Sequence, residues 1–169
     1  MKKVTIILTG VILMTIAALN VNAQSQTATA GATASATIVK PITILNSTPL
    51  AFGLLSPTSL AGTVTLTPAS TTLRSAENVT LLGTLPVTSA AYAITGETGA
   101  LYGISIPATI SLTGAGDPMV ITTTQSKTAT GNVMVAGDNP LYVGGTLAVA
   151  ANQAAGAYSA TYNVTVTYE

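Results

Sequence analysis

Thr161-Tyr162-Asn163-Val164-Thr165-Val166-Thr167-Tyr168, at the C-terminal end of the chain, decides the fold. Tyr162, Val164, Val166 and Tyr168 fall on one face of an extended backbone, and Thr161, Asn163, Thr165 and Thr167 fall on the other. That two-residue period is the signature of a half-buried β-strand. The same period recurs at Val64 and Leu66 among Thr63, Thr65 and Thr67, at Tyr102, Ile104 and Ile106, at Ile110 and Leu112, and at Leu147 and Val149. Beyond the N-terminal leader no stretch sustains a helical period.

Turn chemistry separates these runs. Gly96-Glu97-Thr98-Gly99 lies between the strand around Tyr92 and Ile94 and the strand at Tyr102, and predicts a hairpin. Gly114-Ala115-Gly116-Asp117-Pro118 and Gly137-Asp138-Asn139-Pro140 predict two further turns, where glycine supplies positive φ and proline ends pairing. About eight to ten short strands follow, the pattern of an all-β, immunoglobulin-like antiparallel β-sandwich.

The first 23 residues read as a signal peptide: Lys2 and Lys3, an apolar run from Val4 to Leu19, then Val21-Asn22-Ala23 as a small-x-small cleavage pattern. The apolar run falls short of the roughly 20 residues that a membrane-spanning helix needs. Export to the periplasm, the cell surface or the medium is therefore expected. Residues 24–36 alternate alanine with threonine, serine and glycine, and read as a low-complexity tether or as a donor strand for a neighbour's sheet. The tether is favoured, because alanine offers little area to bury in a partner. Residues 37–169 form one predicted sandwich domain. With no cysteine, its stability must come from packing and backbone hydrogen bonds.

Charge narrows the function classes. After the leader the chain keeps three cations, Lys40, Arg74 and Lys127, against five carboxylates, Glu77, Glu97, Asp117, Asp138 and Glu169, for a net of −2. Counterion release from a phosphate backbone has almost nothing to act on, so nucleic acid is excluded as a partner. No histidine and no cysteine are present, which removes the commonest general base and the thiol nucleophile. The internal carboxylates lie in separate segments, three of them in turns, so no paired-carboxylate site is expected. The reading is non-enzymatic and without a cofactor. Asp117 and the Asp138-Asn139 pair are the weak candidates for a calcium ion, as oxygen ligands in glycine-rich loops. The Asn-x-Ser/Thr triplets at Asn46, Asn78 and Asn163 are read as coincidences of a threonine-rich chain.

Tyr158, after Gly156 and before the last strand, is the candidate for a tyrosine corner, in which the hydroxyl bonds to backbone just upstream. A glycan-binding role would draw on Thr, Asn and Gln for hydrogen bonds and on tyrosines for stacking. Tyr162 and Tyr168 share the apolar face of the last strand, and Tyr92 and Tyr102 are in phase with Ile94 and Ile104. Only Tyr142 and Tyr158 are left for that purpose.

Leu50-Ala51-Phe52-Gly53, Gly62-Thr63-Val64-Thr65-Leu66, Ile94-Thr95-Gly96, Gly144-Gly145-Thr146-Leu147 and Asn152-Gln153 through Gly156-Ala157-Tyr158 occur in this order. The chain from about Ala34 to Glu169 resembles the bacterial exported family named domain of unknown function 4402. That family is similar in its closing strands to spore-coat-U-type and fimbrial subunits, which lend strands to neighbours. Here the family's usual Thr-Arg-Ser reads Leu73-Arg74-Ser75, and the fimbrial cysteines are missing. The resemblance implies structural roles for Phe52, Gly53, Gly156 and Tyr158, carries no catalytic residue, and points to copies of the chain or other surface subunits as partners. A self-contained binding module for glycan or peptide is the alternative.

Overall fold

The structure is a computed structural model and describes residues 27–169; the expected signal peptide lies outside the described residues. Thr27–Thr37 takes no regular secondary structure. The compact unit Ile38–Glu169 is all-β and antiparallel. Its strands are β1 (Thr43–Thr48), β2 (Leu54–Pro57), β3 (Gly62–Leu66), β4 (Arg74–Glu77), β5 (Val79–Leu82), β6 (Ala90–Thr95), β7 (Leu101–Ser105), β8 (Thr109–Leu112), β9 (Met119–Gln125), β10 (Asn132–Val133), β11 (Asn139–Val149) and β12 (Thr165–Tyr168). Seven of them form one sheet, β10-β7-β12 a second, and β2-β5 a third.

The large sheet is organised by β11. Val143 pairs with Ala90 of β6 and with Gln125 of β9, while Gly145 pairs with Leu66 of β3 and with Thr123 of β9. A strand residue has two edges, so β6 and β3 lie end to end along one edge of β11, and β9 runs along the other. The exchange of partners falls at Gly144-Gly145, where side chains have no room. A Cβ on Gly145 would lie 2.6 Å from the Thr122 carbonyl oxygen, and one on Gly144 would collide with the Leu66 carbonyl oxygen.

The inward residues of this sheet fill two adjoining core clusters. Over the C-terminal half of β11, Val64, Leu66, Ile110, Ile121, Leu147 and Val149 pack under Phe52, with Leu55, Val79 and Leu81 of the β2-β5 pair and Tyr158 and Tyr162 against them. Over its N-terminal half, Ala90, Ile94, Leu141 and Val143 pack under Tyr102, Ile104 and Met134, with Val164, Val166 and Tyr168 against them. Leu50 touches both clusters. The two small sheets thus roof the two halves of the large one, which is the sandwich that the alternation predicts.

Two expectations are corrected. Gly96–Gly99 does not close a hairpin: β6 pairs with β1 and β11, whereas β7 pairs with β10 and β12. The chain crosses between sheets there because Ile94 and Tyr102 enter the same core from opposite layers. The last ladder is also shorter than the eight-residue alternation. Only Thr165–Tyr168 pairs, with Ser105 through Tyr102 of β7, although inward and outward side chains alternate from Tyr162 onward. Tyr162 belongs to one cluster and Val164 to the next, so this segment spans the two before it joins a sheet. The turn at Gly114–Pro118 does join a hairpin, with Leu112 opposite Met119.

Candidate functional site

The calcium candidates do not converge. Asp117 precedes β9 at the C-terminal end of β11, since Leu147 pairs with Ile121, whereas Asp138 precedes the first residue of β11. Ten residue steps of strand, about 30 Å at about 3.3 Å each, separate those ends. Asn139 is 2% exposed and already spent. Its Oδ1 accepts the Val135 N–H at 3.0 Å, and its Nδ2 donates to the carbonyls of Val135 at 3.0 Å and Gly137 at 3.2 Å. It closes its own loop from a buried position. Among the described residues no group of three acidic, histidine or cysteine side chains could hold a metal.

Tyr158 donates its hydroxyl to the Ala154 carbonyl, four residues upstream, at 2.9 Å, and accepts Gln153 Nε2 at 2.9 Å. Gln153 Nε2 also donates to the Asp117 carbonyl at 2.7 Å, which ties this corner to the β8-β9 turn. The ring lies over Gly114, where a Cβ would sit 2.6 Å from Tyr158 Cδ1. Gly156 meets Ala115 in the same way, at 2.6 Å between an added Cβ and Ala115 Cβ. Tyr158 is therefore committed to the corner and is no stacking platform.

Phe52 is buried under the first cluster, and Gly53 follows it at φ +76°, a conformation that favours glycine. The Arg74 guanidinium holds this corner: Nη1 donates to the Phe52 carbonyl at 2.8 Å, and Nη2 to the Leu82 carbonyl at 3.0 Å. Sequence reasoning missed Arg74; the signal was a lone arginine in a chain nearly without charge. Tyr168, at the end of β12, accepts the Glu97 N–H at 2.7 Å and donates to the Lys40 carbonyl at 2.7 Å. Tyr162 pairs with Tyr92, hydroxyl to hydroxyl, at 3.2 Å. Burial in the first place, and the bond to Tyr92 in the second, push its phenol well above the ordinary tyrosine range.

The outward face of the large sheet carries what alternation alone could not align. Register places Ser75, Thr65, Thr146, Thr122 and Thr109 in one row across β4, β3, β11, β9 and β8. Thr65 and Thr146 share a hydrogen bond of 3.1 Å within it. Two residues along each strand lies the row Glu77, Thr63, Ala148, Val120 and Ser111. A shallow basin of about 510 Å³ opens over this second row. A second depression, of about 320 Å³, lies where β7 and β9 face each other across the two sheets, beside Ile104, Ile106, Thr124 and Gln125.

What these elements define is an all-β antiparallel sandwich in which Tyr158, Tyr168 and Arg74 hold corners through hydrogen bonds to backbone. The model of the family described as domain of unknown function (DUF4402) matches residues 42–168, from just before β1 to the last residue of β12. The chain belongs to that family. No curated protein and no solved structure matches it.

Proposed function

We propose that the chain is an exported, non-enzymatic structural or surface-interaction module, a subunit of a fimbria-like or envelope assembly. The observation that supports this reading is the state of the sheet edges. β1, at one end of the large sheet's strand order, carries no charged residue and holds Leu45 69% exposed. β10, at the edge of the small sheet, sets Val133, 53% exposed, directly opposite Leu101, 47% exposed. Solitary β-proteins blunt such edges with charge, proline, bulges or short strands. β1 has an irregularity between Asn46 and Thr48 and β10 is only two residues long, yet neither edge carries a charge. Unpaired backbone beside apolar side chains recruits another chain.

The test places a charge on each edge. Leu45→Lys and Val133→Lys should convert an assembling chain to monomer in sedimentation velocity while each keeps a cooperative melt. Assembly that survives both substitutions, or turnover of a substrate by the purified chain, refutes the reading.

A further inference from the structure

We propose that the basin on the outward face of the large sheet is a subsite for a neutral sugar, a pyranose unit of an uncharged polysaccharide. The inference rests on the surface-interaction half of the reading above and gives it a ligand class.

The floor is set by register. Thr63 stands opposite Glu77 and beside Ala148, and Ala148 stands beside Val120, because Leu147 pairs with Ile121. The small side chain of Ala148 between larger neighbours makes the depression. Asn78 and Gln153 stand at its rim. Gln153 Nε2 spends both hydrogens, on the Asp117 carbonyl and the Tyr158 hydroxyl, while Asn78 Nδ2 spends one on the Ala61 carbonyl at 3.3 Å and keeps the other. Their amide oxygens, the Glu77 carboxylate and the Thr63 hydroxyl remain, a set dominated by acceptors. A ligand that fits must bring donors.

The rim is also held in place beforehand. Asn78 and Asn152, both at φ +53°, are the non-glycine residues of positive φ among those described, and both belong to the turns that flank the basin. Thr58 links the two turns, donating Oγ1 to the Asn78 carbonyl at 2.9 Å and accepting the Asn152 N–H at 2.8 Å on its own carbonyl. Asparagine takes left-handed backbone readily in turns, and the Thr58 bonds fix both turns in place.

Chemistry then selects among donor-rich ligands. A calcium ion takes six to eight oxygens and favours several carboxylates, and Glu77 is the basin's one carboxylate. A peptide adds to a sheet through free backbone edges, and on this face the backbone groups of β3, β11 and β9 are already paired with one another. A pyranose offers hydroxyl donors around its ring and an apolar C–H face, which the floor meets with acceptors on one side and Val120 and Ala148 on the other. The basin volume suits one or two sugar units, and the hydroxyl row of Thr65, Thr146 and Thr122 continues beyond it for the next units of a chain.

The experiment titrates the purified chain with cellohexaose, maltohexaose, mannohexaose and chitohexaose, by calorimetry and by backbone amide shifts. One of the four should saturate, with shifts centred on Thr63, Asn78, Ala148 and Gln153. Ala148→Trp, which fills the basin at an exposed position, and Glu77→Gln should each weaken binding at least about tenfold, about 1.4 kcal/mol. Leu85→Ser, at an exposed loop position outside the basin, should leave affinity unchanged. The proposal is overturned by silence from all four sugars, by binding that survives both basin variants, or by saturation with calcium or a lysine-bearing peptide instead. A chain that assembles in sedimentation but binds none of the sugars loses the basin and keeps the structural reading; a chain that turns over a substrate loses both.

Discussion

Arg74 Nη1 donates to the Phe52 carbonyl at 2.8 Å, across 22 residues of sequence, and so fixes the turn in which Phe52 enters the core and Gly53 leaves it. The same guanidinium reaches Leu82 of β5. One planar, permanently charged fork therefore fastens the β2-β5 roof to the edge of the large sheet.

Replacing Arg74 should be costly. Hydrogen bonds to a charged donor are worth about 1.5–3 kcal/mol each when lost, so Arg74→Ala should lower the unfolding free energy by about 2–4 kcal/mol in urea titration. Arg74→Lys should recover little, because an ammonium cannot reproduce the fork. Full recovery by lysine would show that charge alone matters at this corner.

Tyr102 makes the opposite case. It is completely buried among Ile94, Met134 and Leu141, and its hydroxyl has no hydrogen-bond partner. An unsatisfied buried hydroxyl costs about 1–3 kcal/mol. Tyr102→Phe should therefore leave the midpoint of thermal melting unchanged or raise it, while Tyr168→Phe, which removes bonds to Lys40 and Glu97, should lower it. A loss of stability in Tyr102→Phe comparable to that in Tyr168→Phe would contradict this assignment.

Gly114→Ala tests the tyrosine corner. The added methyl would press on Cδ1 and Cγ of Tyr158, at 2.6 and 2.7 Å, and on the Ala157 carbonyl oxygen. Overpacking of this kind costs about 1–3 kcal/mol. Tyr158→Ala should lose stability too, and the double variant should lose less than the sum of the singles, because the part of the clash made with the ring disappears while the contact with the Ala157 carbonyl stays. Strict additivity would mean that the two do not meet.

Alkaline pH reports on Tyr162. Its folded pKa lies above the unfolded value of about 10, so the folded chain holds the proton longer, and stability must fall as pH rises above about 10. Below that point the contribution is fully present. The melting midpoint should decline between pH 10 and 12, and Tyr162→Phe should flatten that decline relative to the parent chain. An equal slope in both would place the titrating group elsewhere.

Much of the architecture is legible in the residues, because burial imposes its own period. Val64, Leu66, Tyr102, Ile104, Ile110, Leu147 and Val149 all point inward, as their alternation requires. What alternation does not encode is which strand lies beside which. Ile94 and Tyr102 show the same phase whether they pair in one sheet or face each other across two, so the crossing at Gly96–Gly99 reads as a hairpin until the pairing is known. Asn139 looks like a loop ligand because its type is common in such loops, and only the fold shows its amide turned back on Val135 and Gly137. The basin was hidden for a related reason: Thr63, Glu77, Val120 and Ala148 come from four strands and acquire a common surface only through register.

The central claim, that this sandwich works by associating with other chains, is tested most directly by sedimentation velocity of residues 24–169 over about a hundredfold range of concentration. Association through uncharged edges predicts a mass that rises with concentration and falls back to monomer in Leu45→Lys and Val133→Lys. A monomer of constant mass throughout, melting in one cooperative step, would contradict the claim and describe a solitary domain.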